Sequence, residues 1–157
     1  IITFGHRQNR MLKENYQHLK NKRLASIDFG LKRVGLAVCD PMHITVSTRP
    51  VLDYTAEDFW KNLQNFFEKE HIEAIIVGAP YNFNNKSSNI LSKVLEFVKA
   101  LKEKTALEII LYDESYSSKK ASSVMLEIGM KKKQRQKKGN ADRIAAAVIL
   151  REFLNEL

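Results

Sequence analysis

A chain of 157 residues is the size of one domain with one continuous core. Its longest apolar runs, such as Ala145 to Leu150, are far too short to cross a bilayer. A lone cysteine, Cys39, excludes an internal disulfide and a zinc–thiolate cluster, and reads as a small buried residue of a reducing compartment. The net charge of +8 is unevenly spread. Residues 1–25 carry six basic side chains and one acidic, and residues 131–138 (KKKQRQKK) carry six and none. Without these two stretches the rest of the chain stands at −3, so the positive charge lies in patches suited to a polyanion, nucleic acid before a membrane surface. For the N-terminal stretch a solvated basic segment explains the charge as well. Six cations in eight residues favour binding, which makes Lys131, Lys132, Lys133, Arg135, Lys137 and Lys138 candidate phosphate contacts.

Residues 1–22 show no clear hydrophobic period and are set apart as a basic extension without an assigned role. No apolar stretch follows their charges, so they do not read as a secretory signal, and a cytoplasmic location is expected. From residue 23 to 157 one domain is expected. Leu24 to Asp28 reads as a strand, Phe29-Gly30 as a turn, and Arg33 to Cys39 as a second strand stopped by Asp40-Pro41. Ile44 to Leu52 alternates as a third, with Pro50 placing its end at an edge or a turn. Thr55 is a candidate N-cap for a helix whose apolar face carries Phe59, Trp60, Leu63, Phe66 and Phe67.

Ala74 to Val77 is a buried strand closed by Gly78-Ala79-Pro80. After a polar loop, Ser87 or Ser88 caps a helix with Ile90, Leu91, Val94, Leu95, Val98 and Leu101 on one face. Glu108 to Tyr112 is the fifth strand, Ser117 starts a helix ending near Gly129, and Asn140 caps a last helix to Leu157. The order β-β-β-α-β-α-β-α-α predicts an α/β fold, with an antiparallel meander continued by parallel strands in a five-stranded mixed sheet and helices on both faces.

Three acids stand where such a fold can bring them together: Asp28 ending the first strand, Asp113-Glu114 ending the fifth, and Asp142 in the first turn of the last helix. Carboxylate oxygens select hard cations, Mg²⁺ or Mn²⁺, which serve phosphodiester cleavage. Each acid alone has an ordinary explanation. Asp28 suits a turn, Asp142 complements a helix dipole, and Asp113-Glu114 are solvated strand-end acids. Together, beside a basic loop, they point to a metal site.

Four separated motifs carry a resemblance. Ile27-Asp28-Phe29-Gly30-x-Lys32-Arg33-x-Gly35-x-Ala37-x-x-Asp40 is similar to the opening of the YqgF-type family of RNase H-like proteins. Val77-Gly78-Ala79-Pro80-Tyr81-Asn82, Asp113-Glu114-Ser115-Tyr116-Ser117-Ser118 and the run from Asp142 to Leu150 follow in the family's order and spacing. That family is described as Holliday junction resolvases and as pre-16S rRNA maturation nucleases. The resemblance implies an RNase H-like fold and a catalytic, metal-binding triad of Asp28, Glu114 and Asp142. Where the family has Arg after the Asp-Glu pair this chain has Ser115, its Thr pair is Ser117-Ser118, and its Gly-rich turn is Asn84-Asn85-Lys86. Those departures touch substrate contacts and leave the triad whole.

The expected activity is metal-dependent hydrolysis of structured nucleic acid, either the pre-16S rRNA 5′ end, within ribosomal precursor particles, or branched DNA. Lys32, Arg33 and Asn82 are further candidate substrate contacts, although each also suits an ordinary turn. Two other readings remain open on the residues. One is a non-catalytic nucleic-acid or ribosome-binding module of the same fold. The other is an ATP-binding protein of the actin and sugar-kinase type, which needs two such domains where this chain holds one.

Overall fold

The structure, a computed structural model, describes residues 2–5, 15–80, 88–113 and 140–157. Six strands form one mixed sheet: β1 (Ile2–Gly5), β2 (Leu24–Phe29), β3 (Arg33–Cys39), β4 (Val46–Asp53), β5 (Ala74–Ala79) and β6 (Glu108–Asp113). Their order across the sheet is β1-β6-β5-β2-β3-β4. The expected five-stranded sheet is present, and the N-terminal segment adds a sixth strand, β1, parallel to β6 at the edge. Four residues are too few to declare a period, so sequence pattern could not show that pairing. The same extension buries Tyr16 and Leu19 against the sheet.

Alternation sorts each strand's side chains onto two faces. On one face Ala25, Ile27, Val34, Leu36, Ile75, Val77, Ile109 and Leu111 pack under α1 (Phe59–Lys69) and α2 (Ser88–Lys104). On the other, Leu24, Ala37, Cys39, Ala74, Ile76, Ile110 and Tyr112 meet α3 (Asn140–Glu156). Cys39 is free and buried there, as its lone occurrence suggested.

Local chemistry moves several element ends. Thr55 does not cap α1, because Asp53 Oδ1 accepts from its amide at 2.8 Å and its hydroxyl at 2.6 Å; the helix begins after Asp58 instead. Pro50 lies within β4 at the sheet edge, one of the two placements expected for it. The strand continues to Asp53, and its register against β3 shifts between Val34 and Leu36, opposite the stretch holding Pro50. Proline is tolerated there because β4 is the sheet edge. On α2 the core positions are Val94, Phe97, Val98 and Leu101, while Ile90 and Leu95 are exposed, contrary to the expected stripe. Phe97, which the expected stripe lacked, stacks on Phe29 with ring centroids 4.5 Å apart and on Trp60 at 5.6 Å. The expected helix from Ser117 to Gly129 lies outside the described residues. No helix among the described residues is long and apolar enough to cross a membrane.

Candidate active site at the carboxyl end of the central strand

Asp28 sits on β2, the central parallel strand, one residue before its end. By alternation it shares a face with Ser26 and Leu24, the face covered by α3. Its partner across the antiparallel ladder is Gly35. On the other side Ile27 stands beside Val77, so the next position along the parallel ladder is Gly78. Asp28 is therefore flanked on both neighbouring strands by glycine, so neither strand sets a side chain beside it. Glycine inside a strand weakens it, and commonly marks a place where a ligand or another backbone approaches closely.

The last helix is aligned with this point. Ser26 Oγ donates to the carbonyl of Ala146 at 2.6 Å, which pins α3 against β2 two residues before Asp28. Arg151 donates to the carbonyls of His43 (3.3 Å) and Ile44 (2.9 Å) in the β3–β4 connection. That connection lies at the opposite end of the sheet, where the amide of Leu24 meets Cys39 Sγ at 3.4 Å. Rising numbers along α3 therefore lead away from the Asp28 end, and falling numbers lead toward it. The backbone of Asp142 lies one turn, about 6 Å, before Ala146. Asp28 lies about 6.6 Å beyond Ser26 in the same sense. The first turn of α3 and Asp28 thus belong to one end of one sheet face. The side chain of Asp142 is outside the described residues.

Asp113 is on the other face. It follows Leu111 and stands beside Ala79, both of the α1–α2 side, whereas Tyr112 faces α3 and donates its hydroxyl to Glu156 Oε1 at 2.7 Å. One carboxylate oxygen of Asp113 is buried without a hydrogen-bond partner among the described residues. Glu114, Asn82, Lys131, Lys132, Lys133, Arg135, Lys137 and Lys138 lie outside the described residues. No group of three metal-capable side chains occurs among the described residues, where Asp28 is the one described side chain of the expected triad.

Lys32 and Arg33 are exposed at the β2–β3 turn. The turn is tight. A Cβ on Gly30 would stand 2.7 Å from the Arg33 carbonyl oxygen, so only glycine fits. Sequence reasoning saw one feature here in part and missed another. The glycines flanking Asp28 were visible as Gly35 and Gly78, but their meaning depends on register. A groove of about 700 Å³ between this turn and the start of α2 had no sequence signal at all.

Away from this end, Glu70 closes α1 by accepting from Arg49 Nε (2.5 Å) and Arg23 Nη2 (2.5 Å). The Arg49 hydrogen bond, followed by that of Arg23, holds its carboxyl at about 2, against burial that opposes the charge.

The profile of the RuvX family, described as Holliday junction resolvase, matches residues 22–156. A relative from Amoebophilus asiaticus named "Putative pre-16S rRNA nuclease" is 39% identical over 134 residues, covering 85% of this chain and 94% of that protein. A relative of the same name from Flavobacterium johnsoniae is 38% identical over 135 residues, covering 85% and 96%. Among solved structures, Thermus thermophilus RuvC in complex with Holliday junction substrate aligns with a TM-score of 0.52 at 15% identity, covering 86% of this chain and 95% of that one. The fowlpox virus resolvase with its Holliday junction DNA gives 0.54 at 17%, covering 85% and 97%. At such identities the likeness is one of fold. The chain belongs to the RuvX family of Holliday junction resolvases, and is a nuclease of RNase H-like fold that hydrolyses phosphodiester bonds of nucleic acid.

Proposed function

We propose that this nuclease is metal-dependent and that Asp28, Glu114 and Asp142 hold its Mg²⁺ or Mn²⁺. The observation that carries the reading is Asp28 on the α3 face between Gly35 and Gly78, at the end where α3 begins. The oxygen donors fit a hard divalent cation. Strand alternation supports Glu114 over Asp113 as the strand-six member, because Asp113 belongs to the opposite face. A divalent cation in such a site supplies an activated water and charge stabilisation for the leaving oxygen. The protein's own part is to hold the carboxylates together and leave room beside Asp28 for the phosphodiester. Lys32, Arg33 and Asn82 are proposed phosphate contacts, and Lys131, Lys132, Lys133, Arg135, Lys137 and Lys138 a proposed electrostatic tether.

The relatives' name favours pre-16S rRNA as substrate, and the proposed reaction is at its 5′ end, in ribosomal precursor particles in the cytoplasm. The family description favours branched DNA as the second reading. Residues 23–157 form the proposed nuclease domain, and residues 1–22 an extension that docks on it. One preparation incubated with precursor rRNA and with a four-way DNA junction, each with Mg²⁺ and with Mn²⁺, decides the substrate. Specific cleavage of the precursor is expected. Cleavage of the junction alone establishes the second reading, and cleavage unaffected by chelation overturns metal dependence.

A further inference from the structure

The groove beside the β2–β3 turn combines features that bulk solvent does not explain. Its wall exposes two large apolar side chains, Leu31 (63% exposed) and Ile90 (59% exposed), with Phe29 between turn and core. Leu31 follows the tight Gly30 turn, and Ile90 lies in the first turn of α2, before its buried positions begin at Val94. Around them stand Lys32, Arg33 and Lys93, and no acidic side chain lines the groove among the described residues. Among the described residues Lys93 pairs with the exposed Glu96 at 3.0 Å, a pair that costs little to exchange for another anion. Asn89 and Ser92 add polar edges. A volume of about 700 Å³ lies within the ~300–1,000 Å³ usual for a small-molecule site. An apolar wall beside three cations suits a nucleotide, whose base offers an apolar face and whose phosphates are anionic.

We propose that this groove binds an unpaired nucleotide of the substrate, with its base against Leu31 and Ile90 and its phosphates against Lys32, Arg33 and Lys93. The proposal deepens the nuclease reading and rests on nucleic acid being the substrate. The groove begins at Phe29, the residue after Asp28, on the α1–α2 face, so a nucleotide held there anchors the strand across the sheet end from the proposed metal site on the α3 face. An unpaired base is required because a stacked, paired base presents no face to Leu31 and Ile90. The groove thereby selects junctions, bulges and single-stranded flanks over continuous duplex.

Binding is measured in chelator, so that turnover plays no part, with the full chain and two RNA duplexes of equal phosphate number. One duplex is fully paired and the other carries a central mismatch. Wild type is expected to prefer the mismatched duplex. The double variant Leu31→Ser, Ile90→Ser changes exposed positions and is expected to keep the wild-type melting temperature. It should weaken mismatched binding about tenfold while leaving the paired duplex within about twofold. Lys32→Gln with Lys93→Gln should weaken both duplexes and flatten the salt dependence. The groove assignment is overturned if wild type does not discriminate, if the serine variant binds both duplexes as wild type does, or if it loses both equally. Discrimination retained by a protein that cleaves nothing with metal would overturn the nuclease reading and leave the groove standing.

Discussion

The two faces of the sheet are built from different residues for different ends. The α1–α2 face is aromatic: Phe29, Tyr54, Phe59, Trp60 and Phe97 interlock with ring centroids about 4.5 to 6.5 Å apart. The α3 face mixes large side chains, such as Ile76, Ile110, Tyr112 and Phe153, with small ones: Ser26, Ala37, Cys39 and Ala74 of the sheet and Ala146 and Ala147 of the helix. Large rings fill volume and stabilise by burial. Small groups let a helix backbone approach closely enough for a serine hydroxyl to reach its carbonyl, which fixes where that helix begins relative to Asp28. One face provides stability and the other provides placement, and substitutions should separate the two.

The largest effect is expected on the aromatic face. Phe97→Ala removes the ring between Phe29 and Trp60 and should cost about 3–5 kcal/mol in denaturant unfolding, with cleavage per folded molecule retained. A loss of activity beyond the unfolded fraction would erase the distinction between the faces. Glu70 tests the same side through pH. Its carboxyl is held down to about 2 from an ordinary 4.5, so its stabilisation is present above about 4.5 and is lost as pH falls toward 2. Glu70→Gln should therefore cost about 1–3 kcal/mol at neutral pH, and the gap to wild type should close on acidification. A gap of constant size across that window would show that the Arg23 and Arg49 contacts act through packing alone.

On the α3 face the pattern should invert. Gly35→Ala places a methyl opposite Asp28 at a strand position where alanine is about as good as glycine or better. Cleavage should fall about tenfold while the melting temperature holds or rises. Unchanged cleavage would mean that the glycine opposite Asp28 serves no ligand. The smallest effect belongs to Ser26→Ala, which removes the bond to Ala146 at a cost of about 1 kcal/mol. Its cleavage should fall further than its stability implies, as α3 loses its fixed position, and equal small losses would count against a placing role.

What could be read in advance follows the range of the interactions. Strands β2, β3, β5 and β6 announce themselves by local alternation and turn residues, and Asp28 could be placed at a strand end from Phe29-Gly30 alone. Relations between distant residues could not be read. Glu70 meets partners 47 and 21 positions away, and nothing in the acidic and basic residues of that stretch singles them out. Ile90 and Phe97 stand seven residues apart on one stripe of the same helix, yet Phe97 is buried between Phe29 and Trp60 while Ile90, at the start of the helix, is exposed. Strand parity alone left Asp113 and Glu114 undecided as partners of Asp28, and the family resemblance chose Glu114; register now assigns Asp113 to the opposite face.

That assignment yields the most direct measurement. Asp28→Asn and Asp113→Asn proteins, titrated with Mn²⁺ beside wild type, are followed by melting temperature and by cleavage of precursor rRNA. Mn²⁺ should raise the melting temperature of wild type and of Asp113→Asn, both of which cleave, the latter with some loss of metal affinity. Asp28→Asn should show little metal-dependent rise and no cleavage, with a metal-free fold at least as stable as wild type. An Asp28→Asn protein that still answers Mn²⁺ and cleaves, beside a dead Asp113→Asn protein, would put the metal site on the wrong face of the sheet and contradict the account.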